Sequence, residues 1–221
     1  MTFLELVERA ARECGLSGDG PATVIGQAGM YARMVRWVNT ALNDIETAHS
    51  DWGWMYKPFS FATVAGQAEY TPVEAGILDH ENWDLKGVRN HVTSIGKISE
   101  IQMGDIDYED WREAYDFGAN RSIRTRPDCF AISPTQSIAL GPYPDGLYTV
   151  TGRYYRIAQV LVNNTDIPLM PANYHMMIVY KAMMYYGGFM SAPDAYDRGE
   201  LEFGKLMRRL ENQRLLTIAF G

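Results

Sequence analysis

Histidine is the side chain best suited to proton transfer and metal binding near neutral pH, and this chain has four: His49, His80, His91 and His175. None stands in an H-E-x-x-H helix motif, and none sits beside a G-x-S-x-G serine or a cysteine nucleophile. The densest cluster is DHENWD, Asp79 to Asp84, where His80, Glu81 and Asp84 converge on an ion only if the segment curls; a solvated loop is the simpler reading. Asp105 with Asp107, and Glu109 with Asp110, are residue types for general acid and base work. Without a partner arginine they read as cap and surface charges of a short helix. SGDG, Ser17 to Gly20, has the glycines of a phosphate loop but neither the G-K-S/T ending nor a preceding strand. Cys14 and Cys129 lie far apart and match no zinc or redox spacing, so they read as buried free thiols. The residues therefore supply no catalytic group, no cofactor site and no metal site.

The one basic run, RSIRTR, places Arg121, Arg124 and Arg126 next to an aromatic helix, where they could touch nucleic acid or an acidic partner. Against a formal net charge of −7, a surface devoted to gripping phosphates is not expected. A DNA-binding protein would betray itself by affinity that falls steeply with salt.

The elements that hold these residues follow from periodicity. Thr2 and Glu5 have capping-box spacing ahead of a first helix with Phe3, Val7, Ala10 and Cys14 on one face and Gly15 as its stop. A long loop spans Gly15 to Gly29. A second helix runs to about His49: Met30, Met34, Trp37, Val38, Ala41, Leu42 and Ile45 repeat at helical spacing, with Arg33, Arg36, Asn39, Asn43 and Asp44 opposite. SDWGW breaks it, its two indoles closing a core edge. From Lys57 the period becomes two. Phe59 to Pro72 reads as a β-hairpin turning at Ala65 and Gly66, and Val88 to Met103 as one or two strands. DYEDWREAY reads as a short helix with Tyr108, Trp111 and Tyr115 on one side, and DCFAIS, SIALG and LYTVTGRYY as three further strands. Asn163 to Pro171 is a linker. A third helix spans about Ala172 to Gly187, and a fourth, past a break at GGFMSAPD, has Asp194 near its cap and Phe203, Leu206, Met207 and Leu210 as its stripe.

That order predicts an α+β fold: N- and C-terminal helices form one bundle (1–56 with 168–221), and an antiparallel β-sheet or sandwich domain (57–167, with a short helix near 107–116) is inserted between them. The third helix is apolar on nearly every side, its segment Pro171 to Phe189 holding one lysine among four methionines and four tyrosines, which makes it the central member of the bundle. Composition agrees with a globular chain: 47% hydrophobic, 21% charged and 12% aromatic residues. The N-terminus lacks the unbroken apolar core of a signal peptide. Met176 to Met190, interrupted by Lys181, falls short of the roughly 20 apolar residues that span a membrane.

Five stretches in order, TFLELVERAARECGLSGDGPATVIGQAG, RMVRWVNTALNDIETAHSDWGWM, FSFATVAGQAEY, LGPYPDGLYTVTGRYYR and TDIPLMPANYHMMIVYKAMMYYG, resemble the head-to-tail adaptor (connector) proteins of tailed bacteriophages, including the tail-tubular-like adaptors of short-tailed phages. The resemblance covers Phe3 to about Leu216. It implies a structural, non-enzymatic protein of the virion, made in the host cytoplasm and placed at the head–tail junction as a ring beneath the portal, usually dodecameric. Its helical domain would meet neighbours and the portal protein, its β domain the next tail component (nozzle or tail tube), and double-stranded DNA would pass through the middle. No cofactor and no membrane are implied. A ring needs two different faces per subunit, and the second and third helices offer Met30, Met34, Trp37, Tyr180, Tyr185 and Tyr186 for subunit or portal contacts. The apolar terminus LLTIAFG, with Leu215, Leu216, Ile218 and Phe220, is expected either to dock on the portal, by adding a strand to an exposed edge, or to fray or pack on the chain itself. The competing reading is an enzyme-like ligand- or metal-binding module, outside any viral ring, built on the 79–84 loop.

Overall fold

The computed structural model describes residues 1–18, 20–49 and 52–219, with the side chains of 214–219 outside the description. In chain order the elements are α1 (Phe3–Glu13), α2 (Gly29–Thr47), β1 (Tyr56–Ala62), β2 (Glu69–Tyr70), β3 (His80–Val92), β4 (Ile101–Gln102) and β5 (Gly104–Asp105). There follow α3 (Tyr108–Tyr115), β6 (Cys129–Ile132), β7 (Ile138–Gly141), β8 (Tyr148–Arg156), α4 (Met176–Met190) and α5 (Pro193–Ala219). The chain divides into two compact units, Met1–Trp54 with Ala158–Gly221, and Met55–Ile157.

In the first unit α1 starts as its sequence dictates: the Thr2 hydroxyl accepts from the Glu5 N–H at 3.3 Å and the Glu5 carboxylate accepts from the Thr2 N–H at 2.7 Å. Phe3, Leu6, Val7 and Ala10 of α1 and Met34, Val38, Leu42 and Ile45 of α2 are buried with Met177, Ile178, Ala182 and Met183 of α4. α4 packs against α1, α2 and α5, so a helix without a polar face is the one that fits between three neighbours. The expected break in GGFMSAPD is present, and it falls past the two glycines. α4 runs through both glycines and ends at Ser191, which takes the left-handed conformation (φ 53°). A Cβ at Gly187 would meet the Tyr196 backbone nitrogen at 2.7 Å, and one at Gly199 the Tyr180 carbonyl oxygen at 2.8 Å. These two glycines set how closely α4 and α5 approach.

The second unit is a sandwich of two four-stranded sheets, in the orders β1-β8-β3-β4 and β2-β7-β6-β5. The pairing is antiparallel except between β5 and β6, which run parallel. Phe59, Phe61, Trp83, Val88 and Val150 of one sheet meet Tyr70, Phe130, Ile138 and Leu140 of the other. On the far side of the second sheet Ala131 and Ala139 leave room for Trp111 of α3, 1% exposed. The expected hairpin over Phe59 to Pro72 does not form. β1 pairs with β8 (Phe61 opposite Val150) and β2 with β7 (Tyr70 opposite Ile138), so the chain changes sheets at the corner between them. Placing Phe59, Phe61 and Tyr70 in one interlayer core requires that crossing. The Tyr70 hydroxyl holds the corner by accepting from the Val64 N–H at 2.7 Å and donating to the Gln67 carbonyl at 3.0 Å. Both cysteines are free thiols; Cys129 is buried, while Cys14 is half-buried, its pKa pushed by burial to about 12.

The glycine geometry separates two near-identical substitutions. Gly187→Ala adds up to about 1 kcal/mol of helix propensity but collides with backbone, at a cost of about 1–3 kcal/mol, so urea unfolding should show net destabilisation. Gly188→Ala meets nothing within 4 Å and should stabilise by up to about 1 kcal/mol. Equal effects at both positions would show that the α4–α5 approach is not held by Gly187.

Candidate assembly interface

Of the apolar residues read as contacts for other chains, several are engaged inside the first unit. Met34 is fully buried and Tyr186 is 9% exposed, so neither presents a surface in the folded chain. Trp37, half-buried, lies edge-on to Tyr186 with ring centroids 6.3 Å apart and 5.7 Å from Phe189, over which the Arg33 guanidinium sits at 4.2 Å. The Tyr185 hydroxyl donates to the Asp44 carboxylate, which also lies 3.5 Å from Lys181 Nζ. Burial and then Asp44 push the Tyr185 pKa upward. Met30 and Tyr180 stay half-buried. Exposed apolar surface near these helices falls instead on Phe189, Met190 and Leu201.

Leu215, Leu216 and Ile218 lie within α5, whose helical backbone reaches Ala219, so the expected extended strand is not the conformation of this segment. Their side chains, and Phe220 altogether, lie outside the described residues. The arginine run is tied down locally. Arg121 donates to the Asp116 carbonyl and carboxylate, both at 2.9 Å, and the Arg124 guanidinium lies against Gly66. Arg126 binds the Asn90 amide oxygen at 2.8 Å and the Ser99 carbonyl. Arg126 is thereby a structural bolt between loop and strand, while Arg121 and Arg124 keep exposed faces.

The stretch expected as a loop at 79–84 is largely strand: β3 begins at His80, and a bulge between His80 and Asn82 sets His80 on the face of Trp83 and Asp84 on the opposite one, so they do not point toward one ion. Asp79 accepts from the Tyr154 hydroxyl at 2.5 Å and pairs with Lys57 at 3.3 Å, Asp84 pairs with Arg153 at 3.0 Å, and His80 lies 4.5 Å from the Trp83 ring. No group of three or more His, Cys, Asp or Glu able to hold a metal occurs among the described residues. The metal-binding alternative loses its geometry.

What the sequence reading missed is a strap between Ala158 and Pro171. The Asn39 side chain of α2 acts as a surrogate strand, donating to the Leu161 carbonyl and accepting from the Leu161 N–H, both at 2.9 Å. One helical turn pair further on, Glu46 accepts from the Gln159 N–H at 2.6 Å. The Gln159 amide in turn donates to the Ile167 carbonyl at 3.1 Å and accepts from the Leu169 N–H at 2.8 Å, which draws the two arms of the strap together. Asp166 closes the bend by accepting from the Val162 and Asn163 N–H groups. Leu161, Pro168 and Met170 point inward; Val160, Val162, Ile167 and Leu169 point out, Val160 being 72% exposed. Asn39 falls on the polar side of the α2 pattern, and nothing in that pattern distinguishes a solvated asparagine from one reading a backbone.

Helices around one apolar helix and a two-sheet sandwich make this an α+β protein. Residues 1–217 match the SU10 adaptor protein family, and the chain belongs to that family of phage head-to-tail adaptors. It is a structural, non-enzymatic class of virion protein. No curated protein matches the chain. No helix among the described residues is long and apolar enough to cross a membrane.

Asn39→Ala leaves the N–H and C=O of Leu161, 2% exposed, without partners, and should lower the unfolding free energy by about 2 kcal/mol. Asn43→Ala, on the exposed side of the same helix, should change it by less than about 0.5 kcal/mol. Limited proteolysis should cut the Asn39 variant between residues 158 and 171 faster than the parent; matching digestion rates would refute the strap's dependence on Asn39.

Proposed function

We propose that the chain is one subunit of a ring, a dodecamer, that sits beneath the portal, joins capsid to tail and lets the genome pass. The helical unit, Met1–Trp54 with Ala158–Gly221, meets the portal and neighbouring copies, and the β unit, Met55–Ile157, meets the downstream nozzle or tail-tube protein. The observation that carries this reading is the strap: four aliphatic side chains face solvent from a backbone already fixed by side-chain hydrogen bonds. Exposed apolar groups on rigid backbone are the mark of a docking surface, because little ordering entropy remains to oppose binding. The formal charge of −7 suits a passage along which DNA slides, since like charge repels phosphates where a basic wall would hold them.

Mass photometry of the protein mixed with its portal tests the reading. The parent should give ring-sized particles bound to portal. Val160→Asp with Ile167→Asp should leave free monomers while the urea midpoint stays within experimental error, because both residues are exposed. A parent chain that never associates with portal, or a double variant that assembles like the parent, would count against the proposal.

A further inference from the structure

The two outer faces of the β sandwich carry opposite charge. Over the first sheet lies an open groove of about 740 Å³. Its floor follows the strand register: Ser60 stands opposite Thr151, which stands opposite Arg89, and Thr149 stands opposite His91. Lys86, Arg89, Lys97 and Arg153 supply four cations to its walls. Arg89 is paired with Glu100 and Arg153 with Asp84, both at 3.0 Å, while Lys86 and Lys97 have no ion pair among the described residues. His91, 8% exposed, also lines the groove.

On the opposite side, α3 seats Trp111 against the second sheet and turns Glu109, Asp110 and Glu113 outward. Glu109 pairs with Arg112 at 3.1 Å. Asp110 and Glu113, like Asp105 just before the helix, are exposed and have no ion pair among the described residues. Groove and helix lie on opposite faces of one sandwich and cannot meet within a copy. They can meet between copies, and a contact that joins two different faces is the heterologous kind that closes into a ring.

We infer that neighbouring copies dock α3 of one sandwich into the groove of the next, with Asp110 and Glu113 facing Lys86 and Lys97. Ile98 beside Lys97, 91% exposed, and Phe117 beyond α3, 65% exposed, give each side an apolar residue to bury at the rim. The inference rests on the ring reading and names one of its interfaces. Duplex DNA is the poorer occupant. Two of the four cations are already neutralised by Asp84 and Glu100, and carboxylates at the groove edge repel phosphates.

Charge reversal on each side tests it. Lys86→Glu with Lys97→Glu, and separately Asp110→Lys with Glu113→Lys, should each reduce ring-sized particles on the portal by at least about tenfold, with unchanged urea midpoints. An equal mixture of the two variants should restore them, because each altered face then finds its complement. Rings that persist under either reversal, or a mixture that stays monomeric, would overturn this interface and leave the ring reading standing. Absence of ring-sized particles from the parent would overturn the ring reading and this interface with it. Salt-sensitive binding of a DNA duplex that the lysine reversals abolish, while rings persist, would reassign the groove to nucleic acid.

Discussion

The helical unit is organised by the need to enclose α4. A helix with no polar face is stable in water only when every side is covered, and α4 obtains this from α1, α2 and α5. The coverage is tight because two glycines remove the side chains that would hold α5 away. The polar groups α4 does carry are met at its margins, where Tyr185 finds Asp44 and Tyr174, just before the helix, donates to Gln213. Much of the apolar surface that looks excessive in the sequence is therefore consumed within the unit. The surplus moves outward, to Phe189, Met190 and Leu201 and to the strap, and these are apolar groups left exposed.

The β unit solves a different problem. Its second sheet is buried on both faces, so β6 and β7 alternate large residues toward the interlayer core, such as Phe130 and Leu140, with alanines toward Trp111. Its first sheet is buried on one face only, and the other shows threonines, a serine and cations. One covered sheet and one open sheet give a subunit two unlike sides. In a homo-oligomer that asymmetry decides between a two-fold pair and a ring, since only unlike sides propagate in one direction.

How much of this the sequence disclosed depended on whether the determining contact was local. The capping box of α1, the apolar stripe of α2 and the aromatic face of α3 are set by residues within a few positions of one another, and all are found where the spacing placed them. Phe59 to Pro72 alternates as a hairpin would, yet its strands part to different sheets because the partners that decide, Val150 and Ile138, lie some 70 to 90 residues away. His80, Glu81 and Asp84 looked like a cluster in one dimension, and the bulge near the start of β3 sets His80 and Asp84 on opposite faces. The strap was the least legible part. Its key residue, Asn39, belongs to a type common on solvated helix faces, and its partner is a backbone group 122 positions distant.

A strap held by side chains rather than by a ladder of backbone bonds has a consequence for assembly. In a regular sheet edge the outward N–H and C=O groups themselves invite pairing, with little selectivity for the partner. Here Asn39, Glu46, Gln159 and Asp166 occupy backbone groups of the strap that would otherwise recruit a strand. Recognition must then come from the four outward aliphatic side chains, which demand a shaped apolar counterpart. The same hydrogen bonds fix those side chains in advance, so a complementary surface gains their burial, roughly 25 cal/mol per Å² of apolar area, with little further loss of chain entropy. A surface of this kind is stiff and apolar, and it selects its counterpart by shape.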